Sequence, residues 1–123
     1  MTTIADLKKH FLKLCADEEA DVQWCDAPSK ALALSGELEF ILTPHITSEI
    51  AYAVATHELG HIKSHVQSSD QIERERAAWD WARRNALMWT PHMEGYAAAS
   101  LRWNEAHAVA RCDRGVLPEF VTP

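Results

Sequence analysis

The sequence predicts a mixed α+β domain, and three observations carry that expectation. Apolar residues recur at helical spacing near the N-terminus, at Ile4, Leu7, Phe11, Leu14 and Cys15. Two short apolar runs follow, interrupted by Pro28, Gly36 and Pro44, which suits strands and turns rather than helix. Three more stretches of helical character then extend to Gly115. Helices grouped around a small sheet, instead of alternating with strands one by one, give the α+β order.

Each element has its own signal. Thr3, with Asp6 three residues later, resembles a capping box, so the first helix is expected from about Thr3 to Glu19. The segment VQWCDAPSKALALSGELEFILTP then reads as two or three short strands around a Ser35-Gly36 turn, the clearest being Leu38 to Leu42. Thr47 or Ser48 caps a second helix reaching about Val66, and Ser68, Ser69 and Asp70 form a polar break. A third helix is expected from about Gln71 to Met88, ending before Pro91. The fourth spans about Met93 to Arg114, with Gly115 as its C-cap.

A chain of 123 residues is expected to form one compact domain, 1–123, with room for one core. Its 47% hydrophobic and 24% charged residues are ordinary for a water-soluble fold. The formal net charge of -6 argues against a nucleic-acid-binding surface. No apolar run approaches the ~18 residues of a membrane span. The first residues, MTTIADLKKHFLKL, lack the apolar core of a secretory signal. Cys15, Cys25 and Cys112 are odd in number and widely spaced, which fits reduced thiols and a cytoplasmic location.

The stretch THELGHIKSH, residues 56–65, carries His-Glu-x-x-His. At ~100° per residue, His57 and His61 lie about 40° apart and one turn from each other, so both imidazoles can reach one tetrahedral metal ion. Glu58 lies ~100° round, placed to take a proton from the attacking water. Chance alone would give the motif in such a chain with a probability on the order of a few per cent, so its setting matters. Ile50, Ala53, Val54, His57, His61 and Ser64 fall on one stripe, which turns the histidines inward. Inward imidazoles beside an acid need a partner, either a metal ion or hydrogen bonds within the core.

Catalytic zinc takes three protein donors and leaves a position open. The longer motif ending in a third His is absent, because Ser64 and Gln67 stand where its Gly and His belong. The next helix, IERERAAWDWARRNALMW, offers Glu73 and Glu75. Glu73 shares a face with Arg76, Asp80, Arg83 and Arg84, a solvated and charge-laced surface. Glu75 sits among Ala78, Trp79, Ala82, Ala86 and Trp89, a stripe whose alanines permit close helix approach. Glu75 is therefore the expected third donor.

HELGHIKSH followed by E-R-A-A-W-D-W-A resembles the ImmA/IrrE family of gluzincin-like zinc metallopeptidases. In that family HELGH is followed, one helix later, by a Glu with Ala at +3, an aromatic at +6 and Ala at +7; here these are Glu75, Ala78, Trp81 and Ala82. The upstream GELEFILTP looks like the strand that precedes the family's motif helix. The resemblance covers roughly Gly36 to Pro91. Trp79 departs from it, standing where the family often has Asp or Asn.

The resemblance implies a small zincin-like domain in which Zn²⁺ is held by His57, His61 and Glu75 and Glu58 is the catalytic base. It also implies hydrolysis of a peptide bond in a specific protein partner, a helix-turn-helix repressor of a phage or mobile element. Neither nucleic acid nor membrane is an expected direct partner. An edge strand, Leu38 to Leu42, is expected to align an extended substrate. Tyr52, His92, Tyr96 and His107 are candidates for stabilising the oxyanion or supporting the metal donors, and the residues alone do not choose among them. His65 reads as a helix-end histidine favoured by the dipole. Without an Asp or Asn at 79, the second ring nitrogen of a metal-bound histidine needs another acceptor, such as a backbone carbonyl, water or Asp80. Two alternatives stand beside this reading: a zincin-fold binding module, weak or inactive in catalysis, that sequesters a regulator or host protein, and a free-standing peptidase of broad specificity.

Overall fold

The computed structural model describes residues 2–26, 31–34, 40–64 and 70–114. In chain order the elements are α1 (Ile4–Asp17), β1 (Asp21–Cys25), β2 (Leu32–Leu34), β3 (Phe40–Pro44), α2 (Glu49–Lys63), α3 (Gln71–Asn85) and α4 (Pro91–Arg114). The fold is mixed α/β, with helices grouped around one three-stranded sheet of order β1-β3-β2. No helix among the described residues is long and apolar enough to cross a membrane.

The capping box that opens α1 is present. Thr3 Oγ1 accepts from the Asp6 N–H at 3.1 Å, and the Asp6 carboxylate accepts from the Thr3 N–H at 2.9 Å. The helix buries Leu7, Phe11 and Cys15, one per turn, and stops at Asp17 rather than Glu19. Glu19 has φ 56°, a left-handed conformation that cannot continue an α-helix.

The sheet departs from expectation in one respect that bears on function. β3 is the central strand, parallel to β1 with Val22 opposite Ile41, and antiparallel to β2 with Ala33 opposite Ile41. Both its edges are therefore used, and it cannot receive a substrate by strand addition. Among the described residues β1 and β2 are the edge strands. The expected strand Leu38 to Leu42 overlaps β3, Phe40–Pro44, which runs two residues further, while Leu38 and Glu39 lie outside the described residues. Ile41 and Thr43, two residues apart, are fully buried on the same face of the strand.

Helix α2 fills the middle of the molecule. Ser48 is its N-cap, its Oγ accepting from the Ala51 N–H at 3.1 Å, and Ser64 is its C-cap. From Ala51 to Gly60 every residue is buried, with α1, β2, β3, α3 and α4 all packed around it. The single inward stripe expected from the sequence is thus too narrow. This helix has no solvated face, and its small residues let neighbours approach from several sides. One close approach is at Gly60, where a Cβ would lie 2.5 Å from the Ala78 carbonyl oxygen of α3. Only glycine allows the two backbones to meet there.

Asp70 caps α3, accepting from the Ile72 N–H at 2.9 Å. The helix ends at Asn85, three residues before the expected Met88, because Ala86 turns to an extended conformation. Thr90 then starts α4, its Oγ1 accepting from the Met93 N–H at 3.2 Å, and Pro91 occupies the first helical position, where its missing N–H is harmless. The core joins Leu7 and Phe11 of α1, Ile41 of β3, Tyr52 and Leu59 of α2, Trp79 of α3 and Met93 of α4, all fully buried.

Candidate metal centre

The Gly60–Ala78 contact sets the geometry of the site. His57 lies one turn before that point on α2, His61 immediately after it, and Glu75 one turn before Ala78 on α3. The crossing therefore brings one carboxylate against two imidazoles. Glu75 Oε2 is 2.8 Å from His57 Nε2, and Glu75 Oε1 is 3.2 Å from His61 Nε2. The imidazole centroids are 4.5 Å apart, with the rings at 72°. Glu73 faces solvent. Of the two acids, only Glu75 is brought to the histidines.

Burial makes this cluster electrostatically unusual. His57 is fully buried and Glu75 is 6% exposed, whereas the His61 side chain is 20% exposed and forms the solvent side of the site. Burial alone would push the His57 pKa down, but the Glu75 charge beside it and its contacts with Glu58 and Glu75 lift it to about 9. Burial likewise opposes ionisation of Glu75, yet His57 and His61 hold its pKa well below the ordinary carboxylate value. Without a metal, the cluster is a buried carboxylate neutralised by His57.

The same donors fit a divalent ion. One donor atom from each of His57, His61 and Glu75 lies within 4.8 Å of the other two. Two donors at ~2.1 Å from a tetrahedral zinc stand about 3.4 Å apart. The observed nitrogen–oxygen distances of 2.8 and 3.2 Å need to open only slightly. Two imidazoles and a carboxylate are also a common zinc donor set.

Two further residues shape the cluster. Gln71, one turn before Glu75, donates its amide N–H to Glu75 Oε1 at 3.4 Å and accepts from Arg74 Nη2 at 2.7 Å. The sequence reading missed Gln71; its i,i+4 spacing from Glu75 was the available signal. Trp79 lies flat on His57, with ring centroids 4.1 Å apart and planes at 17°.

Glu58 is buried, and its Oε1 stands 3.2 Å from Nδ1 of His57, the ring nitrogen that does not face Glu75. Asp80, one of the acceptors suggested by sequence, is exposed and pairs with Arg83 at 2.7 Å. Glu58 is the carboxylate at that nitrogen instead.

The four additional candidates separate clearly. The Tyr52 hydroxyl accepts from the Leu87 N–H at 2.8 Å and lies 2.8 Å from His10 Nδ1, so it ties α1 and the α3–α4 loop to α2. His92 is exposed and pairs with Glu49 at 3.1 Å, near the start of α2. Neither belongs to the cluster: Tyr52 is engaged in the core, and His92 sits at the opposite end of α2 from His61. Tyr96 packs edge-on against Trp79, at 6.2 Å between centroids and 65°, which places it behind the indole that covers His57. The side chain of His107, like residue His65, lies outside what is described.

No family model, curated protein or solved structure matches this chain.

Proposed function

We propose that the chain is a zinc-dependent endopeptidase with a zincin-like fold, acting in the cytoplasm. The observation that carries this reading is the convergence of His57, His61 and Glu75 in a buried niche, with Glu58 next to the first histidine. A bound Zn²⁺ would act as a Lewis acid toward the scissile carbonyl and acidify the attacking water.

The protein's residues have distinct duties in this reading. His57, His61 and Glu75 hold the ion, and Gln71 steadies Glu75 through its amide. Glu58 takes one proton from water as the water oxygen bonds to the carbonyl carbon. It then passes that proton to the amine as the C–N bond breaks. To do so its carboxylate turns from the Nδ1 side of His57 toward the substrate. The partly exposed His61 marks the side from which substrate enters. Alignment of an extended peptide falls to an edge strand, β1 or β2. The resemblance to the ImmA/IrrE family supports a protein substrate, specifically a helix-turn-helix repressor of a phage or mobile element.

One observation favours a second reading. Glu58 is 4% exposed and lies against His57 rather than in open solvent, as suits a zincin-fold module that binds a regulator without cutting it. Glu58→Gln separates the two. A peptidase loses cleavage of a co-expressed repressor while keeping zinc, because Gln cannot accept the proton. If wild type and Glu58→Gln have the same effect on the repressor, the binding module replaces the enzyme.

A further inference from the structure

We propose that Trp79 is a positioning residue for His57, fixing the plane of its imidazole for metal binding; this rests on the metal centre proposed above. Glu75 fixes one atom of that ring, Nε2, at 2.8 Å. Glu58 stands 3.2 Å from the other ring nitrogen, Nδ1, so both polar contacts meet the edge of the ring and neither covers a face. The last torsion of histidine is broad and intrinsically soft, so turning is resisted by what packs on the face. A metal–imidazole bond is directional, so a turned ring presents its lone pair poorly. The indole of Trp79 removes that freedom: it lies 4.1 Å from the imidazole centroid at 17°, and both side chains are fully buried. An imidazole turned out of this plane would drive its edge into the indole face.

The indole is itself held. Trp89 meets it edge-on at 6.3 Å and 63°, and Tyr96 of α4 does so at 6.2 Å and 65°. Trp79 also lies one turn from Glu75 on α3, so a single helix supplies both the carboxylate that meets Nε2 and the plane that meets the ring face. Trp79 Nε1 makes no hydrogen bond among the described residues, so the indole acts through its face and not its N–H. Phenylalanine keeps a flat face and abandons no partner. Leucine and methionine keep apolar volume and lose the face.

The test compares wild type, Trp79→Phe and Trp79→Leu by competition for Zn²⁺ against a chelator. NMR shifts of the His57 ring protons are recorded on the metal-free proteins. Ring-current shifts from the indole are expected on His57 in wild type and are lost in Trp79→Leu. Trp79→Leu should weaken Zn²⁺ binding by ~10-fold or more, and Trp79→Phe by no more than ~3-fold, on the scale typical of residues that orient a ligand. Circular dichroism checks that both remain folded; if Trp79→Leu does not, Trp79→Met takes its place. Equal affinity in wild type and the face-less variant overturns the inference alone, as does a Phe variant as weak as Leu. A wild type that takes up no Zn²⁺ overturns the metal centre and this inference with it.

Discussion

Two buried polar clusters lie along α2, about 7.5 Å apart by helix rise, and they are built on opposite principles. At Tyr52 the groups are neutral and matched. The phenol accepts from the Leu87 N–H, leaving its own proton for Nδ1 of His10. Burial raises the tyrosine's pKa and lowers that of His10, so both stay uncharged. At His57 a buried imidazole and the Glu75 carboxylate each hold the other in its charged form, with His61 and Glu58 crowded against them. A neutral, satisfied cluster staples helices together. A charged one in the same core has an alternative partner in a cation, and that difference separates a structural tyrosine from a candidate metal site.

The comparison can be broken at the point that serves the charged cluster. Gly60→Ala places a methyl 2.5 Å from the Ala78 carbonyl oxygen, so α2 and α3 must separate. Overpacking of this kind costs ~1–3 kcal/mol. Because the same contact sets the His57–Glu75 distance, zinc affinity should fall with it, which thermal melts and chelator competition would measure together. Tyr52→Phe tests the other cluster. Leaving the Leu87 N–H and His10 without their partner should cost ~1–3 kcal/mol of stability. Zinc affinity should not change; a matching loss of metal would mean that the two clusters are one unit.

A third prediction is a matter of pH. His57 in the metal-free protein has its pKa raised from 6.5 to about 9, so its contribution to stability is full below 6.5 and lost as pH rises through about 9. The Glu75 pKa is depressed, so its contribution is present above its ordinary 4.5 and lost as pH falls through the lower value. Metal-free stability from this pair is therefore greatest between these ordinary values. His10, depressed by burial, acts in the opposite sense, its contribution present above 6.5 and lost as pH falls. Zinc must displace the His57 proton, so apparent affinity should rise by about tenfold per pH unit toward about pH 9. A flat affinity profile between about pH 6.5 and about pH 8.5 would contradict the assignment of His57 as a donor.

The amphipathic elements were legible because one face of each is wet. The α1 stripe of Leu7, Phe11 and Cys15 and the choice of Glu75 over Glu73 both follow from a helix with a dry and a solvated side. Helix α2 was less legible, since burial on all faces leaves no contrast for periodicity to detect. Strand order could not be read either. The alternation in β3 reports which residues point inward and is silent on how many neighbours the strand has, so a central strand looks like an edge in sequence. Gln71 and the role of Tyr52 depend on side chains meeting across elements, which spacing within one element does not encode. Trp79 shows the limit from the other side. In sequence it is only the residue standing where the resembled family often has Asp or Asn, which invites the substitution Trp79→Asp. Its complete burial among Trp89, Tyr96 and His57 makes that substitution a buried charge in a cavity, which should unfold the site instead.

Whether His57, His61 and Glu75 act as one metal site is decided by zinc titration of the metal-free wild type beside Glu75→Ala and Glu73→Ala. About one Zn²⁺ per chain is expected in the wild type, the same in Glu73→Ala, and no detectable binding in Glu75→Ala. Zinc retained by Glu75→Ala, or lost from Glu73→Ala, would contradict that site.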